Sequence, residues 1–438
     1  MMKKKRFISL FAAAVLTAAM LAGCGSPAAS SPTTEKSGDS AGAGAQRKKI
    51  TALLKGSETS EANMIYGKAI KDFCNQKGLD CEIELVPTDA DYITKLQLYI
   101  NSNSLPDIYG CANGSLSKAA QEIDAMVNVG EELKGIGKYD SMNKAIIDFL
   151  TDANDGQMYL MPNALYAEYF AYRKDIFEKY DLQVPKTWDE FLSVCKTLKE
   201  KGEIPLIVGG KENWQLMRYL SFAPWRVTHD GFITGYISGE DSFEKDEAAK
   251  AGAKLLYTLG TEGYFQPGFL STDNTANGEL FYGGTGAMMY SGSGDIAKGE
   301  ELYKSGQLGF FPVPDVDGME NMETNIPLHA GFAYAFNKQT YDGVMKEFFQ
   351  YLCDNFTSLC YDSAKVFSPF NDPVPDSAGE IMKEVYPFFE QAKQSWVSWD
   401  DKLDSATLTK LVDLQQQLVQ GQITPEEYCT TADSYVTK

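Results

Sequence analysis

Alternating strand and helix patterns constrain the fold of this 438-residue chain more than any other feature of its sequence. Short apolar runs at residues 50–54, 81–85 and 106–109 predict strands. Apolar residues at helical spacing fill the two intervals between them, at residues 65–73 and 92–100, and Gly78 is placed to end the first of these helices. Repeated strand–helix units of this kind predict an α/β fold with mostly parallel strands.

One further helix has both of its ends marked in the sequence. Thr187 and Glu190 form a T-x-x-E capping box at its start, and Gly202 is placed to end it. Trp188 belongs to the capping turn, so we assign it to structure rather than to binding. This stretch predicts stability and would suit any globular protein.

Composition excludes several classes of function. The chain has 40 Lys+Arg against 60 Asp+Glu, and a net charge of −20 argues against a nucleic-acid partner. A hydrophobic content of 44% argues against a disordered or a multi-span membrane protein. Two His and no dense Cys cluster leave little material for a metal or a His-based catalytic site. We therefore expect no metal and no cofactor.

The amino terminus predicts the compartment. Residues 3–6 are basic, and residues 7–21 form an apolar stretch that is too short for a bilayer, which needs about 20 helical residues. The following Leu-Ala-Gly-Cys, ending at Cys24, resembles a lipobox, which bacteria cleave before a Cys that is then lipidated. We expect residues 1–23 to be a signal peptide and Cys24 to anchor the protein outside the cytoplasm of a Gram-positive bacterium. An ordinary secretory signal is the alternative.

The segment after the cleavage site predicts a tether. Residues 24–47 are mostly small and polar, without apolar periodicity, which is typical of a flexible linker. Cleavage removes four positive charges, so the net charge changes from −20 to −24. Seven Cys remain beyond Cys24, and because an odd number cannot pair completely, we interpret them as buried thiols.

Several short motifs then occur in one order along the chain. They read L-P-D-I-Y at 105–109, G-Q-M-Y-L-M-P at 156–162, Y-R-K-D-I-F at 172–177, V-P-K-T-W-D-E-F at 184–191, T-G-A-M-M at 285–289 with Gly292, and G-F-F-P-V-P at 309–314. Together, over about residues 48–438, they resemble the extracellular solute-binding proteins of family 1. These are the sugar-binding lipoproteins of ABC importers, related to maltose-binding protein.

The resemblance implies a fold and a function. It implies a two-lobed, periplasmic-binding-protein-like fold of type II, with a hinge between discontinuous lobes at residues 48–162 plus 328–374 and at 163–327 plus 375–438. A carbohydrate, expected to be an oligosaccharide, would be captured between the lobes and delivered to a membrane permease, whose separate ATPase subunit powers import. The chain would act as a monomer and catalyse no reaction.

A sugar site needs polar side chains for the hydroxyl groups and flat aromatic rings for the C–H faces. Position in the family pattern makes these residues candidates: Ser57, Glu58, Asn113, Tyr166, Glu168, Trp214, Tyr290, Ser293, Asp295, Trp396 and Trp399. Trp225, which is flanked by His229-Asp230-Gly231, is a further candidate, with core packing as the alternative. Trp214 is expected in a polar loop, and Trp396 and Trp399 on one helical face, where packing against the other lobe is the alternative.

Other functions remain open at this point. The family often has a Trp just after the strand that contains Met288 and Met289, but residues 292–295 contain none. Carboxylate pairs are abundant, so a lipid-anchored glycoside hydrolase is one alternative. A binding protein or sensor for a non-sugar ligand is another. Asp315 and Asp317 lack the spacing of an EF-hand calcium loop, which favours a simple turn.

Overall fold

The computed structural model of the chain describes residues 47–112, 115–152, 156–390, 392 and 394–436. The expected signal peptide, Cys24 and the tether up to residue 46 lie outside the described residues. Within the described ranges, no helix has both the length and the apolar content that a membrane crossing requires.

Nine strands and seventeen α-helices make up the described chain. The strands are β1 Lys49–Lys55, β2 Asp80–Val86, β3 Ile108–Cys111, β4 Tyr166–Arg173, β5 Leu206–Ile207, β6 Met288–Gly292, β7 Leu308–Phe311, β8 Leu328–His329 and β9 Ala333–Phe336. The helices are α1 Lys68–Lys77, α2 Asp89–Asn101, α3 Ser115–Glu122, α4 Val129–Gly135, α5 Lys144–Asp152, α6 Lys174–Lys179, α7 Trp188–Glu200, α8 Trp214–Thr228, α9 Gly231–Ser238, α10 Glu247–Thr261, α11 Asn274–Tyr282, α12 Glu300–Lys304, α13 Gly343–Ser358, α14 Glu380–Glu390, α15 Trp399–Lys402, α16 Ser405–Val419 and α17 Pro425–Asp433.

The first sheet has the strand order β2-β1-β3-β9. Strand β1 is parallel to both β2 and β3, as the alternating pattern predicts. Strand β9 comes from much later in the chain and pairs with β3 in the antiparallel direction. Helices α1 and α13 pack together beside this sheet, where the ring of Phe73 meets that of Phe348 at 5.5 Å.

The second sheet corrects the expectation of mostly parallel strands. Its order is β5-β6-β4-β7, with β8 also paired to β4. Strand β4 is antiparallel to β6, β7 and β8, and β5 with β6 is its parallel pair. Strand β4 is the first strand of the chain in this sheet. The strands that lie beside it, β6, β7 and β8, come later in the chain and run in the opposite direction.

The chain passes between the two sheets three times. Met161 still pairs with Tyr334 in the first sheet, and β4 in the second sheet begins at Tyr166. The chain then returns from β8 to β9, and a third passage brings Ser395 beside Leu328. We call residues 162–168, 328–333 and 394–399 the inter-lobe connections. The α/β architecture with two discontinuous lobes is confirmed, while the exact lobe boundaries remain predictions.

Local signals near the helix ends are confirmed, with one difference. Gly78 follows α1 in the left-handed conformation at φ 66°, where a residue without Cβ is favoured. The Thr187 hydroxyl accepts a hydrogen bond from the Glu190 amide at 3.3 Å. The Glu190 carboxylate, however, accepts from the Lys186 amide at 2.7 Å instead of the Thr187 amide. The hydrogen bond to the Thr187 side chain is therefore the one that a capping box has, whereas the bond to the Glu190 side chain comes from the residue before Thr187.

Two expectations about tryptophans are wrong. Trp214 is not in a loop but is the first residue of α8, after Asn213 in a left-handed conformation at φ 67°. Trp396 shares no helix with Trp399, because the Trp396 amide donates to the Leu328 carbonyl at 2.8 Å and α15 starts only at Trp399.

The seven cysteines of the described chain are free thiols, and six are buried as interpreted. Cys81 is exposed instead, because it lies on β2 at the edge of the first sheet. Burial raises the pKa of Cys111 to about 12, which makes its thiol unreactive at neutral pH.

Candidate ligand-binding cleft

A cleft of about 480 Å³ lies where the two lobes meet the inter-lobe connections. The first lobe contributes Lys55 at the end of β1, Ala112 after β3, and Tyr92 and Ile93 of α2. The second lobe contributes the start of α8 and part of α16. The lining side chains include Lys55, Tyr92, Ile93, Glu168, Glu212, Trp214, Met217, Arg218, His329, Phe332, Trp396, Asp400, Asp401, Leu408 and Val412. Its volume is within the range of small-molecule sites, about 300–1,000 Å³.

Glu168 lies at the centre of the polar wall. Strand β4 places it in the first inter-lobe connection, where it is only 2% exposed. Arg218 Nε lies 3.0 Å from Glu168 Oε2, and the Tyr290 hydroxyl donates to the same oxygen. His329 Nε2 lies 3.2 Å from Oε1, and because the Gly331 amide donates to His329 Nδ1, Nε2 carries the ring hydrogen. The buried carboxylate is therefore held by three donors.

The pKa of Glu168 follows from these contacts. Burial alone would raise the pKa, since a carboxylate loses its water there. The charge of Arg218 and the hydrogen bond from His329 outweigh this effect and lower the pKa to about 2. Glu168 is thus ionised at any physiological pH and cannot supply a proton to a ligand.

Arg218 is enclosed by acidic and aromatic side chains. Its Nη1 donates to Asp400 Oδ1 at 2.7 Å, while Nε and Nη2 donate to Glu168. The guanidinium also lies over two indole rings, 5.1 Å from the centroid of Trp214 and 4.8 Å from that of Trp396. A planar cation can lie over aromatic rings while it binds carboxylates in its own plane, a geometry that arginine provides.

Asp400 and Asp401 extend the acidic wall towards the opening. Asp400 is bound to Arg218 through one oxygen and its side chain remains 30% exposed. Asp401 accepts a hydrogen bond from the Ser398 hydroxyl at 3.0 Å. Burial and the neighbouring Asp400 raise the pKa of Asp401 to about 6. The wall therefore presents carboxylate oxygens that can accept hydrogen bonds.

The opposite wall belongs to the first lobe and is more apolar. The ring of Phe332 lies 5.4 Å from that of Tyr92 in an edge contact, and Lys55 Nζ lies 4.7 Å from its centroid. Ile93, 38% exposed, adds an apolar side chain. Gly110 is required behind this wall, because a Cβ at that position would lie 2.5 Å from Phe332 Cε1.

Of the twelve candidates from the sequence, Glu168, Trp214 and Trp396 line this cleft. Tyr166 lies beside it in the first inter-lobe connection, with its ring stacked on His329 at 5.4 Å. The Tyr166 hydroxyl donates to Glu61.

Four other candidates lie on the surface, in the interior or outside the described residues. Ser57 and Glu58 occupy an exposed turn after β1, where Asn63 Nδ2 donates to the Glu58 carboxylate at 3.2 Å. Ser293 is buried, and its hydroxyl accepts from the Ala167 amide at 3.1 Å. Asn113 lies outside the described residues.

Asp295 and three aromatic candidates do not line the cleft. Asp295 pairs with Lys298 at 2.7 Å. Trp225 is 1% exposed and packs on Trp396 at 5.4 Å, and Tyr290 is 1% exposed and reaches Glu168 through its hydroxyl. Trp399 packs on Phe243 at 5.6 Å in the core of the second lobe.

The sequence reasoning missed several lining residues, above all Arg218, His329 and Phe332. A signal for Arg218 was present, since it interrupts the apolar run Leu216-Met217-Arg218-Tyr219-Leu220, where a charge requires a partner. His329 and Phe332 carried no comparable signal. In the described part of the chain, no group of three His, Cys, Asp or Glu side chains is placed to hold a metal ion.

Comparison with known proteins bears on this geometry. Residues 56–355 match the family model of bacterial extracellular solute-binding proteins. An uncharacterized ABC transporter extracellular-binding protein of Pyrococcus horikoshii is 25% identical over 299 residues, which cover 64% of this chain and 69% of that protein. The multiple sugar-binding protein of Streptococcus mutans is 28% identical over 234 residues, 52% of this chain and 49% of that protein.

Solved structures share the fold. A structure from a study of xylan utilization by Caldanaerobius polysaccharolyticus has a TM-score of 0.76 at 23% identity and covers 89% of this chain and 100% of that one. At this identity the likeness shows the fold alone. It confirms the two-lobed architecture that the motif order predicts.

Proposed function

Because this chain belongs to the family of bacterial extracellular solute-binding proteins, we propose that it captures a carbohydrate in the cleft between its lobes and delivers it to an ABC importer. One observation carries the proposal: an aromatic ring, Trp214, and an oriented carboxylate, Asp400, line the same cleft, and both contact Arg218. The name of the Streptococcus mutans relative, a multiple sugar-binding protein, supports the ligand class.

The chemistry of the cleft suits a sugar. The half-buried ring of Trp214 can pack against the C–H face of a pyranose, and Phe332 on the opposite wall can cover its other side. Asp400 and Asp401 can accept hydrogen bonds from ring hydroxyls. Since the lining contains Glu168, Glu212, Asp400 and Asp401 against two basic side chains, the cleft favours a neutral ligand over an anionic one. We expect an oligosaccharide.

Binding would be coupled to closure of the lobes. A ligand that contacts both walls makes its full set of contacts only when the lobes are closed, so it shifts the population towards the closed form. The permease in the membrane would recognise that form, and its separate ATPase would power import. In this role the chain binds and releases its ligand as a monomer and catalyses no reaction.

The amino terminus would hold the protein at the membrane. The Leu-Ala-Gly-Cys sequence supports cleavage before Cys24 and lipidation of its thiol, and the tether of residues 24–47 would leave the lobes free to turn. A single acyl chain anchors only marginally, whereas two chains hold a protein stably. We place the protein outside the cytoplasm of a Gram-positive bacterium, on the cell membrane.

The proposal is tested on the full mature chain with Cys24→Ser, which retains every described residue in a soluble form. Thermal unfolding is measured with xylotetraose, cellotetraose, maltotetraose and chitotetraose, and each sample is then analysed for cleavage products. We expect one or more of them to raise the melting temperature and to be recovered intact. No stabilisation by a broad glycan panel, or a cleaved product, would contradict the proposal, the latter in favour of a glycoside hydrolase.

A further inference from the structure

Arg218 lines the cleft and contacts residues of the inter-lobe connections. It contacts Glu168 of the first connection, and Glu168 in turn lies 3.2 Å from His329 of the second. Its guanidinium also lies 4.8 Å from the ring of Trp396 in the third connection. Segments that are far apart in the sequence thus meet at one cation.

The ligand-facing groups depend on the same cation. Arg218 covers one face of Trp214 at 5.1 Å and holds Asp400 Oδ1 at 2.7 Å. Its own side chain is only 7% exposed, and its Nε, Nη1 and Nη2 groups already donate to Glu168 and Asp400. Few of its N–H groups are therefore left for a ligand.

Resting on the proposed function, we propose that Arg218 is a positioning residue, which fixes the ring of Trp214 and the carboxylate of Asp400 relative to the inter-lobe connections. Ligand affinity then depends on Arg218 although its hydrogen bonds are made within the protein. Holding both groups in place before binding lowers the ordering cost of the complex.

The shape of the guanidinium is essential to this role. A lysine ammonium is a compact charge, whereas the guanidinium of Arg218 binds two carboxylates through different N–H groups and lies over two indole rings. Arg218→Lys keeps the charge and is expected to lose the positions of Trp214 and Asp400. Arg218→Met alone would leave Glu168 buried without its main partner, so the second variant is the double variant Arg218→Met/Glu168→Gln, which removes both charges.

Arg226 provides a matched control on the same helix. It is 2% exposed, lies 5.9 Å from the ring of Trp225, and donates to Asp315 and to the carbonyl of Met322. Arg226, Trp225, Asp315 and Met322 do not line the cleft. Arg226→Met therefore removes a buried, stacked guanidinium without touching the proposed site.

The first readout needs no ligand. Acrylamide quenching of Trp214 fluorescence is taken as the difference between each protein and its Trp214→Phe derivative, in the mature chain with Cys24→Ser. In both Arg218→Lys and the double variant we expect the quenching constant to rise by about twofold or more, because one face of the indole loses its stacked cation. In Arg226→Met it should equal the parent value. An unchanged constant in both Arg218 variants would overturn the proposal.

The second readout is calorimetric affinity for whichever of the four tetrasaccharides binds the parent protein. We expect a loss of about tenfold or more in the Arg218 variants and of less than about twofold in Arg226→Met, since positioning lowers the cost of binding. An equal loss in all variants would show a general structural effect and overturn the proposal. If the parent binds no glycan, the proposed function fails, and the quenching result alone decides the role of Arg218.

Discussion

Replacing Glu168 by Gln should destabilise the protein by about 3 kcal/mol at pH 7. The pKa of Glu168, about 2, lies about 2.5 below its ordinary value of 4.5, which corresponds to roughly 3 kcal/mol at 1.36 kcal/mol per pH unit. The range measured when one partner of a buried ion pair is removed, about 3–5 kcal/mol, agrees with this value. Both arguments rest on the 2% exposure of Glu168 and its contact with Arg218.

The pH dependence has a definite sign. Since folding lowers the pKa of Glu168, its contribution is fully present above pH 4.5 and is lost as the pH falls towards 2. The difference in the free energy of unfolding between the parent and Glu168→Gln should be constant from pH 8 to about pH 5 and should shrink at pH 3. Denaturant unfolding at pH 7, 5 and 3 measures it.

A matched variant separates this effect from the loss of any carboxylate. Glu82 pairs with Lys49 on the surface, where their side chains are 69% and 48% exposed. Glu82→Gln should therefore destabilise the protein only slightly, because solvent-exposed ion pairs contribute little. If Glu168→Gln destabilises no more than Glu82→Gln, or if its effect is the same at pH 7 and pH 3, the reasoning about the buried network is refuted.

Three further results are expected. Trp214→Ala should weaken glycan binding by about 1 kcal/mol or more in calorimetry, which is the value of one good aromatic contact. Trp225→Phe, a change outside the cleft lining, should alter the affinity little. Equal affinity for the parent and Trp214→Ala would remove Trp214 from the site. Oligogalacturonate, an anionic glycan, should bind at least about tenfold more weakly than the best neutral oligosaccharide, because one wall of the cleft carries several carboxylates. Equal affinity for the two ligands would contradict the preference of the cleft for neutral glycans. Cys24→Ser should move the protein from the membrane fraction to the soluble fraction of its host, and unchanged membrane retention would argue against lipidation.

Local features of the fold could be predicted from the sequence. The strands at β1 and β2 and the helices beside them follow from apolar spacing. Gly78 marks a helix end through its left-handed backbone, and Thr187 marks a helix start through its side-chain hydroxyl. The antiparallel second sheet could not be predicted in this way, because β4 pairs with strands that follow it by more than a hundred residues. Local periodicity carries no information about such pairings.

The site was predictable only in part, for a related reason. The family pattern predicts Glu168, Trp214 and Trp396 as site residues, and they line the cleft. Residue type alone does not separate an aromatic ring in the cleft from one in the core, and Trp225 packs against Trp396 in the interior. The role of Arg218 depends on partners 50 and 182 residues away, which only the folded chain brings together.

A crystal structure of the mature chain with a stabilising tetrasaccharide tests the central claim most directly. The account predicts an intact glycan between the lobes, with one sugar ring against Trp214, a hydroxyl donating to Asp400 and contacts to Phe332 from the other side. It also predicts that Arg218 keeps its contacts with Trp214, Trp396, Glu168 and Asp400. A glycan bound outside this cleft, or one that contacts a single lobe, would contradict the account.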